Sequence, residues 1–158
     1  RVDLVVSVRA LGKEPPRRPS LDDRVGVLRE LAARVGWLGV VVSDRQLVVD
    51  LAEGYDVVVV GADKWHQLHD PSFYGSPAAR DDAVARLPHL AVAPRADVVL
   101  GSEVEVLEVD PTLATVSSTA ARRGRRELMV PEAADFDDRT GAWTDPVRYD
   151  RWVGVRLS

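Results

Sequence analysis

Ser117, Ser118 and Thr119 stand in a row, with Arg122 one helical turn further on. At a helix start such a run offers hydroxyl and backbone donors to an anion, and a guanidinium three residues later reaches the same anion as a fork. That chemistry suits a polyphosphate; the same residues also make an ordinary Ser/Thr cap. A second group is Gly61-Ala62-Asp63-Lys64-Trp65, directly after the apolar run Asp56 to Val60. Gly61 lets a ligand approach the backbone closely, and Asp63 accepts hydrogen bonds from sugar hydroxyls. The competing reading has Asp63 capping the next helix and Trp65 packed in the core. His66 and His69 are spaced i, i+3 and suggest either a histidine pair or, with Asp70, a zinc site. Two histidines with no further ligand of clear spacing make a weak metal site, so no metal ligands are assigned.

These groups need elements to hold them. Val2 to Val8 is a β-branched run and reads as a buried strand. The prolines between Gly12 and Pro19 force a loop. Ser20 then caps a helix with Asp22 and Asp23 in its first turn, and Leu21, Val25, Leu28, Leu31, Ala32 and Val35 share one face up to Gly36. Trp37 to Val42 is a second strand, Asp44 to Glu53 a short helix, and Asp56 to Val60 a third strand buried on both faces. A helix over Pro77 to Leu87, strands over Leu90 to Ala93 and Glu103 to Val109, and a helix opening at Ser117 complete the pattern. From Pro131 an Asp- and Arg-rich extension carries Trp143, Tyr149 and Trp152 as anchors. Alternating strands and helices predict an α/β fold, a Rossmann-like doubly wound parallel sheet, in a single domain over 1–158. Ligands of such sheets bind beyond the carboxyl ends of the strands, where Gly61 and Asp63 fall.

Composition sets outer bounds. The 158 residues are 46% hydrophobic and 29% charged, ordinary for a globular domain. No apolar run approaches the roughly 20 residues of a membrane helix. There is no cysteine, so disulfides and thiolate metal sites are excluded, which fits a cytoplasmic protein. Of 21 basic residues only Lys13 and Lys64 are lysine, a bias that points to a GC-rich bacterial genome. The net charge of −4 speaks against nucleic acid as a partner. The arginines from Arg122 to Arg126 are read as one phosphate contact among solvated charges, and Asp135, Asp137 and Asp138 lack the spacing of a calcium loop. Homo-oligomerisation is left open.

Together, Gly61-Ala62-Asp63 after a strand and Val116-Ser117-Ser118-Thr119-Ala120-Ala121-Arg122 some tens of residues later resemble the nucleotidyltransferase superfamily, within it the nicotinamide or nicotinate mononucleotide adenylyltransferases. Val116 stands where that family has Ile. Lys13, following no proline but lying in a proline-rich loop, and Arg24, at the start of a helix, extend the likeness over roughly residues 2 to 130. The resemblance implies transfer of AMP from ATP to a mononucleotide with release of pyrophosphate, in NAD biosynthesis. It assigns Ser117, Ser118, Thr119 and Arg122 to the ATP phosphates, and Gly61 and Asp63 to the nucleoside. Lys13 and Arg122 would supply charge at the reacting phosphates; Lys13, Arg24 and Trp65 would contact the mononucleotide; Mg²⁺ would arrive with ATP. The family's His-x-Gly-His loop has no counterpart in residues 1–158. The expectation is therefore a preceding βα unit of roughly 20–35 residues, by element and loop lengths. The alternatives are a catalytically silent nucleotide-binding module, or an adenylyltransferase for another phosphorylated metabolite.

Overall fold

The structure is a computed structural model, and residues 1–9, 11, 12, 18–95, 100, 101 and 104–156 are described. The fold is α/β with parallel strands. It divides into two compact units, the first formed by Arg1–Ala10, Glu14–Asp44 and Ser117–Ser158, the second by Leu11–Lys13 and Arg45–Val116.

In the first unit, β1 (Val2–Ser7) and β2 (Leu38–Ser43) pair in parallel with Val2 opposite Leu38 and Ser7 opposite Ser43. Helix α1 (Leu21–Val35) is the crossover between them and packs on β2. Ser20 Oγ accepts from the Asp23 amide, and Gly36 closes the helix at φ +75°, a conformation open to glycine. The sequence extension that was read only as anchored turns out to be two helices, α6 (Pro131–Thr140) and α7 (Pro146–Arg156). Asp137, fully buried, ties their connection: it accepts from Trp143 N at 2.7 Å, Thr144 N at 3.1 Å and Thr144 Oγ1 at 2.6 Å. Phe136, Trp143 and Trp152 meet edge to face at centroid distances of 5.9 and 5.5 Å, and Tyr149 stacks on Trp152.

Asp23 is the polar hub of this unit. It is 7% exposed and lies against Tyr149, Ser20 and Arg156. Burial pushes its carboxyl pKa up, but the hydrogen bonds from Tyr149, Ser20 and Arg156 outweigh that and hold it below the usual aspartate value. The Tyr149 hydroxyl also accepts from Ser20 N at 2.8 Å, so α7 is latched to the start of α1.

The second unit holds the order β3-β4-β5, all parallel: β3 (Val57–Gly61), β4 (His89–Ala93) and β5 (Glu105–Val106). Val60, Ala62, Leu68 and Val92 form its core, with Val58, Trp65 and Leu90 packed against it. The face carrying Val58 and Val60 is thus covered, whereas Val57 and Val59 are 49% and 57% exposed, against the expectation of burial on both faces. Two elements are shorter than the sequence predicts. Helix α2 (Val48–Leu51) has Leu47 at its N-cap and no side-chain capping bond, so Asp44 to Leu47 do not join it. β5 keeps two ladder residues because Val104 N turns back to Gly101 O. Helix α3 (Ala62–His69) packs on β3 and β4, α4 (Pro77–Ala85) packs on α3, and Ser76 caps α4. No helix among the described residues is long and apolar enough to cross a membrane.

Candidate functional site

β3 runs into α3 without a loop: Gly61 is both the last strand residue and the N-cap. Gly61 makes no side-chain cap, and Asp63 lies inside the first turn, where it does not cap the helix. A Cβ built on Gly61 would meet nothing within 4 Å, so the backbone there faces open space. Beside it lies a groove of about 580 Å³ lined by Gly12, Gly61, Asp63, Lys64, His66, Gln67, Asp70 and Phe73, all within the second unit.

Helix geometry sorts these residues. Asp63, His66, Gln67 and Asp70 recur at i, i+3, i+4 and i+7 and form one stripe. Trp65 and Leu68 belong to the other side, in or against the core. His69 goes with Trp65: its Nδ1 is 2.9 Å from Trp65 O and the two ring centroids are 4.1 Å apart. The two histidines therefore part company, His66 on the groove and His69 against Trp65. Among the described residues no group of three or more His, Cys, Asp or Glu is placed to hold a metal ion.

Most groove side chains are engaged. Asp63 pairs with Arg95, and Lys64 Nζ donates to Gln67 Oε1. Gln67 Nε2 donates to Leu11 O at 3.1 Å. Asp70 Oδ1 accepts from Ser72 N at 2.9 Å, and this bond, chiefly, lowers its pKa from the usual value. Phe73 lies under Gly12, where a Cβ would come within 2.8 Å of its ring.

The hydroxyl run sits in the first unit. Ser117 caps α5 (Ser118–Arg122), its Oγ accepting from Ala120 N at 3.1 Å. The cap reading is thereby realised in part. Ser118 and Thr119 are exposed, and first-turn amides have no intrahelical acceptor. Arg122 is exposed and folds back, Nε to Ser118 O at 3.0 Å and Nη2 to Ser118 Oγ at 2.8 Å. With five residues, α5 contributes little dipole, and any anion there depends on hydrogen bonds. Arg24 lies on α1, its Nε buried and, among the described residues, without a hydrogen-bond partner. Lys13 lies outside the described residues. The sequence brings up His66 and Asp70 only as a histidine pair or zinc ligands, and Gln67 and Phe73 not at all; the i, i+3, i+4, i+7 spacing from Asp63 is the signal that groups His66, Gln67 and Asp70 on the groove.

Comparison with known proteins identifies no matching family model and no curated relative.

Proposed function

We propose that this chain is the nucleotide-binding part of a nucleotidyltransferase that joins AMP from ATP to nicotinamide or nicotinate mononucleotide and releases pyrophosphate. The observation that carries the reading is the groove at the carboxyl end of β3, with bare Gly61 backbone and the Asp63 carboxylate on its wall. Parallel sheets hold nucleotides at that edge. The assignment to a Rossmann-like doubly wound sheet is supported by parallel pairing of the described strands within each unit.

In this reading Gly61 and Asp63 contact the nucleoside. The β- and γ-phosphate role of Ser118, Thr119 and Arg122, in the first unit, is what the resemblance implies; to meet an anion there Arg122 would release Ser118. Ser117 keeps its capping bond and contributes its position. An acceptor phosphate oxygen forms a bond to the α-phosphorus of ATP while the bond to the bridging oxygen breaks and pyrophosphate departs. Such a transfer needs alignment and charge neutralisation more than covalent help. Lys13 and Arg24 would bind the acceptor phosphate. Mg²⁺ enters as part of the Mg–ATP substrate, held by phosphates and water.

A second reading, a catalytically silent nucleotide-binding module, is favoured by one observation: His69 is turned to Trp65, so the groove holds no histidine pair among the described residues. Pyrophosphate release from ATP, measured with each mononucleotide and with other phosphorylated acceptors, separates these readings. Release with either nicotinic acceptor supports the enzyme. ATP binding without release on any acceptor leaves the silent module.

A further inference from the structure

The groove contains one polar side chain with no intramolecular partner among the described residues, His66, and one ring, Phe73. Its other polar side chains are committed. Asp63 is paired, Lys64 and Gln67 bond each other, Gln67 also holds the Leu11 carbonyl, and Asp70 caps the turn at Ser72. The Leu11–Gly12 segment is pinned from two sides, by Gln67 and by Phe73, which is possible because residue 12 has no Cβ and takes φ +70°. The groove's walls are thus tied to one another, and His66 is the polar side chain on them that, among the described residues, is tied to none.

Trp65, the aromatic expected from the sequence to stack on a ring, packs instead against the core cluster and His69. Moving it onto the groove would require rotating α3 and burying Asp63 and Gln67. Phe73 is the phenyl ring that already lines the space, half-buried and close against Gly12.

We propose that His66 and Phe73 are the specificity-determining contacts of this groove, reading a nucleoside: the imidazole hydrogen-bonds a sugar hydroxyl beside Asp63, and the base lies on the Phe73 ring. Imidazole offers both a donor and an acceptor, as a hydroxyl does, so the two match without a charge. An aromatic face accepts any flat base. This inference rests on the assignment of Gly61 and Asp63 to the nucleoside.

The test is titration of the full chain with adenosine, followed through the His66 imidazole, Phe73 ring and Trp65 indole proton resonances. The expected result is saturable shifts at His66 and Phe73 with the Trp65 signal unmoved. His66→Ala should weaken adenosine about three- to tenfold, the worth of one hydrogen bond. Phe73→Leu should weaken it by a similar factor or more, with both variants folded by their amide spectra. Saturable adenosine binding that leaves His66 and Phe73 unmoved, or that moves Trp65, overturns this inference and leaves the nucleotide-binding reading standing. Failure of both adenosine and Mg–ATP to bind removes both.

Discussion

Replacing Tyr149 by Phe tests how the C-terminal helix is held. The substitution keeps the ring against Trp152 and deletes one oxygen. That oxygen donates to the Asp23 carboxylate and accepts from Ser20 N at 2.8 Å. A hydrogen bond to a buried charge contributes about 1.5–3 kcal/mol, and the Ser20 amide left without its acceptor adds about 1 kcal/mol. The sum is about 3 kcal/mol, a large share of the about 5–15 kcal/mol that holds a domain together. For a chain of this size it lowers Tm by about 6–12 °C.

The effect carries a pH signature. Asp23 has its folded pKa lowered, so its contribution is complete above the unfolded aspartate value of about 3.9 and disappears as pH falls through the folded value. Tyr149→Phe removes one of the bonds that lowers it, so the gap between wild type and variant narrows as pH drops below about 4. Burial, and next the Asp23 bond, raise the Tyr149 pKa, so the phenol stays protonated through neutral pH and the bond is intact there. The assay is urea unfolding at pH 7 and at the lowest pH where the fold persists, followed by fluorescence of Trp143 and Trp152. A loss below about 0.5 kcal/mol at pH 7, or an equal loss at both pH values, refutes the hub.

Asp137→Ala should cost about 2–4 kcal/mol, because it removes the fully buried acceptor of the half-buried Trp143 and Thr144 amides; unfolding midpoints that match wild type would show the turn is held otherwise. Gly61→Ala should leave stability unchanged or raise it by about 0.4–1 kcal/mol, since the methyl meets no neighbour, yet weaken Mg–ATP about tenfold by standing where the ligand approaches. Equal affinity for both proteins, by calorimetry, would remove Gly61 from the site.

The legible parts of the fold are those with local signals. The valine runs give β1 and β3, and Ser20 with Gly36 brackets α1. Helices α6 and α7 escaped because they bury few apolar residues and their charges read as surface; yet Pro131 and Pro146 at helix starts and Gly141 at φ +76° after α6 were boundary signals in plain sight. The alternation around Glu105 suggested a long strand, but alternation does not supply a partner, and both ladder residues are exposed. Asp23 read as a first-turn charge; its hub role depends on residues 126 and 133 positions away and leaves no local trace. Gly61 ends β3 and Asp63 lies in the first turn of α3, the positions the residue order predicts. Trp65 packs against the core, the competing reading of the sequence: with Ala62 and Leu68 it repeats every third residue along the core side of α3.

Titration of isotope-labelled full chain with Mg–ATP, read at backbone amides, addresses the nucleotide-binding claim at its root. The account predicts saturable shifts at Gly61 and Asp63 and at Ser118 and Thr119, with the latter pair lost in Arg122→Ala. An amide spectrum unchanged at millimolar Mg–ATP, or saturable shifts confined to other segments, would contradict it.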